Sequence, residues 1–383
     1  MLAALTHALQ VTVSGLMERR LVYRVGSQIV PHTSPAHREI DLSGYALYAG
    51  LINAHDHLEL NHYPRTKFRE VYTNAHQWGE DVSSHLHESP YREGQAYPLW
   101  ERCWIGGLKN LLSGVTTVAH HNPLHRPLQA RWFPVRVVQR YGWSHSLHFE
   151  TPTAIQRSYQ RTPPTAPWLI HLAEGTDTIA VAELGQLGQL GALGSNTVLI
   201  HGVGITNPQP AIERGVGLVW CPSTNHDLLG QTAQVGAWSA AGQLALGSDS
   251  RLTADGDLLD ELRAAYATGQ VDAPTLLQLV TTNPARLLRL SKVGDLQVGY
   301  HADFIALPRQ ADPYRALIEA RRADIALVVK GGRVMFGDPD LVRQFSGRFV
   351  EAELDGRPKL INVGLAARLQ RSSLQETGLI LGA

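Results

Sequence analysis

The 383-residue chain has few cysteines, no net charge and no long apolar run. Its two cysteines, Cys103 and Cys221, rule out a disulfide framework and favour a reducing compartment, so we expect a cytoplasmic protein. Lysine plus arginine (34) balance aspartate plus glutamate (34), which gives no electrostatic reason to expect nucleic acid or an anionic membrane as a partner. No apolar segment is long enough to span a bilayer, and no basic stretch precedes the first apolar residues, so we expect neither a transmembrane helix nor a signal peptide.

The composition is that of a globular protein with a sizeable core, because 44% of the residues are hydrophobic and 18% are charged. From about residue 46, apolar strand patterns alternate with polar loops and helical patterns, which predicts a parallel α/β fold. Seven strands are predicted, at 46–54, 115–119, 144–149, 168–171, 197–201, 216–220 and 244–247. Either FPVRVV at 133–138 is an eighth strand, or the sheet lacks one on that side.

The two ends of the chain have a different pattern from the middle. Residues 1–46 contain short β-like stretches without a helical period, and residues 294–340 return to short β patterns separated by glycine turns. The two segments could complete one sheet. Residues 341–383 show no single secondary-structure pattern and include a short predicted helix, AARLQRSSLQ. The sequence does not indicate a role for this helix.

Polar side chains stand at the carboxyl tips of the predicted strands, as at the mouth of a barrel enzyme. In LINAHDHLEL, His55 and His57 project to one face of a strand and Asp56 to the other, because side chains alternate with period two. Further polar residues end or closely follow later strands: His171, Glu174, His201 and Asp249. Three imidazoles and one carboxylate suit zinc or a similar first-row divalent cation better than magnesium or calcium, which prefer oxygen ligands.

These motifs, in this order, resemble the amidohydrolase superfamily and, within it, the aminohydrolase branch that includes cytosine, guanine and S-adenosylhomocysteine deaminases. The resemblance runs from about residue 46 to 335 and also covers GVTTV at 114–118, CPSTN at 221–225, TTNPARLLRL at 281–290 and GDLQVGYHADFIAL at 294–307. It implies a metal-holding, TIM-like (β/α)8 barrel, flanked by a small β-sandwich from both chain ends. The expected domains are a barrel over 47–293, a composite sandwich over 1–46 and 294–340, and an extension over 341–383.

The resemblance also implies roles for individual residues. One metal ion would be held by His55, His57, His171 and Asp249. Glu174 would shuttle protons, and His201 would contact the metal-bound water. We expect one divalent ion, with zinc as the first choice and iron or manganese as alternatives.

Binuclear members of the superfamily bridge two metals with a carbamylated lysine from the fourth strand. Between His57 and His171 this chain has only Lys67 and Lys109. Lys67 follows the loop after the first barrel strand, and Lys109 falls in a helical pattern before GVTTV. Neither is expected at the bridging position, which favours a single metal ion.

A divalent metal lowers the pKa of bound water and so provides hydroxide at cellular pH. Asp249 would take the first proton, Glu174 would deliver protons to the ring nitrogen or leaving amine, and His201 would orient the hydroxide. Structural alternatives remain for each: Glu174 could merely orient His171, His201 could be a buried hydrogen-bonded histidine, and Asp249 could cap the next helix.

Other polar residues at loop ends are expected to face the substrate, with loop solvation or helix capping as the alternative. They are His121, Asn225, Arg251 and Glu150. A guanidinium such as that of Arg251 could clamp a carboxylate or phosphate. Glu150, at the end of SHSLHFE, could also serve as an extra metal ligand.

The sequence therefore predicts a mononuclear metal-dependent hydrolase that deaminates a small heterocyclic amine. One alternative is hydrolysis of a cyclic amide, an imide or an aryl halide by the same centre. Another is a structural or regulatory barrel that has lost catalysis. The expected partner is a small-molecule substrate, and a homodimer is the common assembly for soluble enzymes of this kind.

Overall fold

The structure is a computed structural model that describes residues 1–254 and 256–382. It is an α/β protein with both parallel and antiparallel sheets. The amino-terminal strands are β1 (Leu2–Thr6), β2 (Leu9–Thr12), β3 (Gly15–Glu18), β4 (Leu21–Arg24), β5 (Ile29–Val30), β6 (Arg38–Asp41) and β7 (Tyr45–Ala49). Among the described residues, no helix is both long and apolar enough to cross a membrane.

The middle of the chain forms two parallel sheets, ordered β8-β9-β10 and β11-β12-β13-β14-β15. Most of their residues are buried, as expected for parallel strands covered on both faces. Their bounds are β8 (Leu51–Asp56), β9 (Val115–His120), β10 (Arg136–Val137), β11 (Gly142–Ser144), β12 (Trp168–Leu172), β13 (Thr197–His201), β14 (Gly217–Trp220) and β15 (Leu244–Leu246).

The segment after β15 contacts the first of these sheets. Ser248 N–H donates to the side-chain oxygen of Asn53 (3.0 Å), and Asp249 N–H donates to the carbonyl of His55 (3.0 Å). A Cβ added at Gly247 would lie 2.7 Å from Cβ of His55, so this position needs glycine for the close approach. The carboxyl ends of β8 and β15 therefore lie side by side.

Helices connect the parallel strands and cover them. They are α1 (Ala75–His85), α2 (Tyr91–Ala96), α3 (Leu99–Leu112), α4 (Pro152–Arg161), α5 (Thr178–Gln189), α6 (Gln209–Ile212), α7 (Pro222–Leu229), α8 (Gly236–Ala240), α9 (Leu258–Ala267), α10 (Ala273–Leu279) and α11 (Thr282–Leu287). Asp177 caps α5 and Asp257 caps α9, each side chain accepting a backbone N–H from the first turn. Short 3₁₀ helices occur at Leu58–Leu60, Arg126–Gln129 and Arg322–Asp324.

The structure decides one open alternative about the predicted strands and corrects the end of another strand. The segment 133–138 does supply a strand, because Arg136 and Val137 pair in parallel with Thr117 and Val118. The strand predicted at 144–149 is wrong beyond Ser144, where β11 ends. Glu150 explains the early end: its N–H donates to the carbonyl of Ser146 (3.2 Å), which bends the chain into a turn.

The chain ends meet in a nine-stranded sheet of order β21-β19-β20-β18-β17-β16-β7-β2-β3, beside a four-stranded sheet of order β5-β4-β1-β6. An apolar core shared by both sheets includes Leu5, Tyr23, Phe304 and Val329. The carboxy-terminal elements are β16 (Phe304–Pro308), α12 (Pro313–Glu319), β17 (Leu327–Lys330), β18 (Arg333–Gly337), α13 (Pro339–Val342), β19 (Phe349–Leu354), β20 (Arg357–Asn362), α14 (Val363–Leu369) and β21 (Leu379–Leu381). Three strands of the 341–383 segment thus belong to the larger sheet.

Candidate metal centre

The four predicted metal ligands lie together at the carboxyl ends of the parallel strands. Nε2 of His57 lies 3.3 Å from Nε2 of His171. Oδ1 of Asp249 lies 3.6 Å from Nε2 of His55 and 3.8 Å from Nε2 of His57. All four residues are buried. Residues that are far apart in the sequence therefore point donor atoms at one small volume.

The donor atoms fit a divalent ion. His55 is fully buried, yet neither of its ring nitrogens has a hydrogen-bond partner. Leaving a buried polar atom unsatisfied costs about 1–3 kcal/mol. The ring of His171 is oriented by its Nδ1, which donates to the carbonyl of His145 (2.9 Å), so its Nε2 presents a lone pair. A nitrogen-rich set with one carboxylate is the chemistry that zinc prefers.

His121, predicted to face the substrate, offers a ring nitrogen to the same group. Its Nε2 donates to the carbonyl of Ser144 (3.0 Å), which leaves a lone pair on the buried, unpartnered Nδ1. One ring nitrogen from each of His55, His57, His121 and His171 lies within 4.8 Å of the others. His121 is therefore placed as an additional candidate ligand.

Lys109, which the sequence pattern did not place near the centre, is buried beside it. Gly106 of α3 packs so closely on the turn after β8 that an added Cβ would lie 2.2 Å from the carbonyl oxygen of Leu58. One turn later, Nζ of Lys109 donates to Oδ1 of Asn61 (2.8 Å) and to the carbonyl of Asp249 (2.8 Å). It also lies 3.1 Å from Oδ2 of Asp56. All three ammonium hydrogens therefore have acceptors.

The carboxylate of Asp56 joins this lysine to a wider buried network. As strand alternation predicts, Asp56 points away from the two histidines that flank it. Its carboxylate accepts hydrogen bonds from the side-chain amides of Asn61 (2.8 Å) and Asn110 (2.7 Å). Asn53 in turn donates to Asn110 (2.8 Å) and to the hydroxyl of Ser248 (2.8 Å). The network fixes the loop that carries Asp249 against the end of β8.

Three non-glycine residues beside the centre have left-handed backbone conformations: Ala173 (φ 54°), His201 (φ 74°) and Asp249 (φ 51°). Such conformations cost roughly 1–3 kcal/mol each and persist only where the surroundings enforce them. At Ala173 the N–H is held by the carboxylate of Glu183 (2.5 Å) on α5. Ala173 and Asp249 follow strands β12 and β15, and His201 ends β13, so the strained sites lie at the strand ends that carry the candidate catalytic residues.

Glu174 lies at the edge of the centre, with Oε2 3.5 Å from Nε2 of His201. Burial, together with the charges of Asp249 and Glu183, raises the pKa of Glu174 well above its usual value. A carboxyl in this environment favours the protonated form and can donate a proton.

A chain of hydrogen bonds sets the proton position on His201. The indole N–H of Trp220 can only donate, and it donates to the hydroxyl oxygen of Thr232 (2.6 Å). That hydroxyl donates to Oδ1 of Asn225 (3.2 Å), so the amide nitrogen of Asn225 faces Nδ1 of His201 (3.0 Å). Nδ1 is therefore the acceptor, and the proton of neutral His201 is on Nε2, on the side of Glu174.

Three of the four predicted substrate-binding residues have other partners. Asn225 lies behind His201, as described. The guanidinium of Arg251 forms two hydrogen bonds with buried Glu376 (2.9 and 2.6 Å), and it is not among the residues that line the cavity over the centre. Glu150 accepts the backbone N–H of His145 (2.5 Å).

A cavity of about 530 Å³ opens over the centre. Its floor contains His57, His171, Glu174, His201 and Asp249. Its walls are mainly apolar and aromatic, with Leu60, Tyr63, Trp78, Val82, Phe149 and Leu252. The spacing of these wall residues in the sequence gave no signal that they share a cavity.

Part of the chain matches a known family: residues 166–335 match the model of the amidohydrolase family. Over 146 residues, the chain is 32% identical to a curated protein named 5-methylthioadenosine/S-adenosylhomocysteine deaminase, from Carboxydothermus hydrogenoformans. That match covers 33% of this chain and 34% of the relative, so the chain spans about a third of the relative's length.

Solved structures resemble the chain over most of its length. An adenosine deaminase from Xanthomonas campestris with bound zinc superposes with a TM-score of 0.70, at 18% identity over 87% of this chain and 92% of that one. An atrazine chlorohydrolase from Arthrobacter aurescens TC1, complexed with zinc, gives a TM-score of 0.70 at 18% identity, over 87% of this chain and 95% of that one. At these identities the likeness shows a shared fold.

Proposed function

We propose that the chain is a mononuclear metal-dependent hydrolase of the aminohydrolase branch of the amidohydrolase superfamily, because residues 166–335 match the amidohydrolase family model and part of the chain resembles a deaminase. The reaction proposed is hydrolytic removal of an amino group, as ammonia, from a small heterocycle. The observation that carries the proposal is His55, fully buried with both ring nitrogens unpartnered beside Asp249 and His57. An imidazole in that position needs a cation among its neighbours.

We propose the architecture that goes with this function. The two parallel sheets would be arcs of one eight-stranded (β/α)8 barrel, and the hydrogen bonds from Ser248 and Asp249 to β8 support closure on one side. The four- and nine-stranded sheets would form the β-sandwich, supported by their common core. Two buried free cysteines support a cytoplasmic location. A homodimer is proposed by analogy with soluble enzymes and can be tested by light scattering.

His55, His57, His171 and Asp249 would hold the ion, with His121 as a further candidate. Zinc is proposed, with iron or manganese as alternatives. When bound, such an ion supplies a water of lowered pKa as the nucleophile. The contacts of Lys109 support a single ion, because all three of its ammonium hydrogens have acceptors and none of its contacts suits a bridging carbamate.

The roles of the remaining residues follow from their protonation. Glu174, held in its acid form, would protonate the ring nitrogen or the departing amine. Asp249 would accept the proton that the attacking water loses. His201, with its proton on Nε2, would donate a hydrogen bond to the oxygen that attacks the substrate carbon.

The cavity indicates a class of substrate. A polar floor below apolar and aromatic walls suits a flat amino-heterocycle with an apolar substituent. The curated relative is named for 5-methylthioadenosine and S-adenosylhomocysteine, so thioether-bearing adenosines are the first compounds to test.

The test is ammonia release from the zinc-loaded protein over adenosine thioethers, other purines, pyrimidines, pterins and triazines, with metal content measured in the same samples. We expect ammonia release from at least one amino-heterocycle and loss of that activity after chelation. Release of halide or ring opening without ammonia would instead support the alternative hydrolases. Less than about half a metal equivalent would favour a non-catalytic protein.

Replacing Asn225 by aspartate should reduce kcat strongly while leaving the metal content unchanged. A carboxylate accepts from Nδ1 of His201, which would move the neutral proton off Nε2 and remove the donor from the reacting side. Holding a catalytic imidazole in the wrong tautomer costs about 10⁴-fold in a well-studied case. The matched control is Asn207→Asp at an exposed loop, which should leave kcat unchanged. Equal kcat for both variants would contradict the proposed role of His201.

A further inference from the structure

A second group of metal-ligand side chains lies beside the proposed catalytic centre. Glu59 follows β8, His120 ends β9, and His125 lies just before the 3₁₀ helix Arg126–Gln129. Oε2 of Glu59 lies 3.7 Å from Nδ1 of His120, and Oε1 lies 3.9 Å from Nε2 of His125. One ligand atom from each residue lies within 4.8 Å of the other two.

The hydrogen bonding of this group lacks a positive partner. The backbone N–H of Leu58 lies 3.4 Å from Nδ1 of His120, a long and weak contact that an ion at this nitrogen would replace. The oxygen that faces it, Oε2 of Glu59, is buried and has no hydrogen-bond partner. The other oxygen of Glu59 accepts from the side-chain amide of Asn122 (2.7 Å). Oε2 of Glu59 and Nε2 of His120 are therefore both buried without a hydrogen-bond partner, which is costly unless a cation is present.

The spacing of the group suits a small divalent ion. A tetrahedral zinc ion with bonds of about 2.0–2.1 Å holds its ligand atoms roughly 3.4 Å apart. The separations of 3.7 and 3.9 Å join each histidine to a different oxygen of Glu59 and exceed this value by about 0.3 and 0.5 Å, and one ligand atom from each of the three residues lies within 4.8 Å of the others. The side chain of His125 is 26% exposed, so this edge of the group is in contact with solvent.

We propose that Glu59, His120 and His125 form a second divalent-metal site, selective for zinc-like ions and separate from the catalytic one. Asn122 connects the two sites, because its amide nitrogen lies 2.7 Å from Oε1 of Glu59 and 3.2 Å from Nδ1 of His57.

The test counts zinc in the full-length protein, loaded with zinc and freed of excess by gel filtration. We expect about two equivalents in the wild type and about one in His125→Asn. The control His87→Asn, at an exposed histidine outside both groups, should keep two. Asp249→Asn should lose the catalytic equivalent alone, so failure of this proposal and failure of the proposed function are distinguishable. One equivalent in both the wild type and His125→Asn would overturn the second site.

A second variant tests the site by the appearance of an absorption band, so the result does not depend on a loss of metal that an unstable variant could also show. In His125→Cys loaded with Co²⁺, a thiolate ligand should produce a near-ultraviolet thiolate-to-cobalt charge-transfer band that is absent from the wild type under the same conditions. Circular dichroism checks that the variant is folded. A folded, cobalt-loaded His125→Cys protein without this band would also overturn the proposal.

Discussion

Replacing Lys109 by methionine is expected to destabilise the protein by about 3–5 kcal/mol, because it leaves the carboxylate of Asp56 buried without its cationic partner. The loss should also weaken metal binding. The ammonium of Lys109 holds the carbonyl of Asp249 (2.8 Å), and Asp249 is strained into a left-handed conformation that needs such support. Urea unfolding of the metal-free protein gives the first effect, and zinc titration gives the second.

Two further variants separate the buried pair from a general effect of losing a lysine. Lys67→Met removes a partly exposed lysine whose Nζ contacts backbone carbonyls, and it should change stability by less than about 1 kcal/mol. Adding Asp56→Asn to Lys109→Met should recover part of the loss, because the unpaired charge is then gone. Additive effects of the two substitutions would show that the pair is not coupled.

Replacing Glu174 by glutamine should reduce ammonia release by about 10²–10⁴-fold, the usual contribution of a general acid or base. Glutamine keeps the size and polarity of the side chain but cannot give up a proton to a departing amine. Metal content should stay the same, because Glu174 is not among the candidate ligands grouped around His55. Steady-state ammonia release and metal analysis on the same samples measure both quantities.

The control for this variant is Glu150→Gln, since the amide oxygen of glutamine can still accept the N–H of His145. It should retain most of the activity. The Glu174 variant also separates the proposed reaction from dehalogenation, in which the leaving group needs no proton. Full turnover by Glu174→Gln on an amino substrate would contradict a proton-transfer role, whereas retained halide release would favour the alternative reaction.

Strand alternation and the apolar runs were enough to find the candidate ligands. His55 and His57 share a face because they are two residues apart on β8, and His171 and Asp249 end or follow later apolar strands. Parallel strands bring their carboxyl ends to one edge, so proximity followed from topology alone. The resemblance to the amidohydrolase superfamily is confirmed by the family match, and the parallel α/β architecture is observed directly.

What the sequence could not provide is the direction in which helix and loop side chains point. Lys109 was set aside because it lies on a helix, yet the close approach at Gly106 turns it beneath the centre. Arg251, two residues after a candidate ligand, was predicted to face the substrate, but a carboxylate 125 residues later holds it. Such contacts depend on the packing of elements that are distant in sequence, and the local sequence pattern does not predict them.

The pairing of β7 with β16 has a consequence for how the chain is made. Residues 45–49 of the growing polypeptide cannot meet this neighbour until residues 304–308 have left the ribosome. Every candidate ligand of the catalytic centre has by then been synthesised. The nascent chain therefore exposes an unpaired strand edge while the residues between these two strands are synthesised, a state in which chaperone contact would protect it from association with other chains.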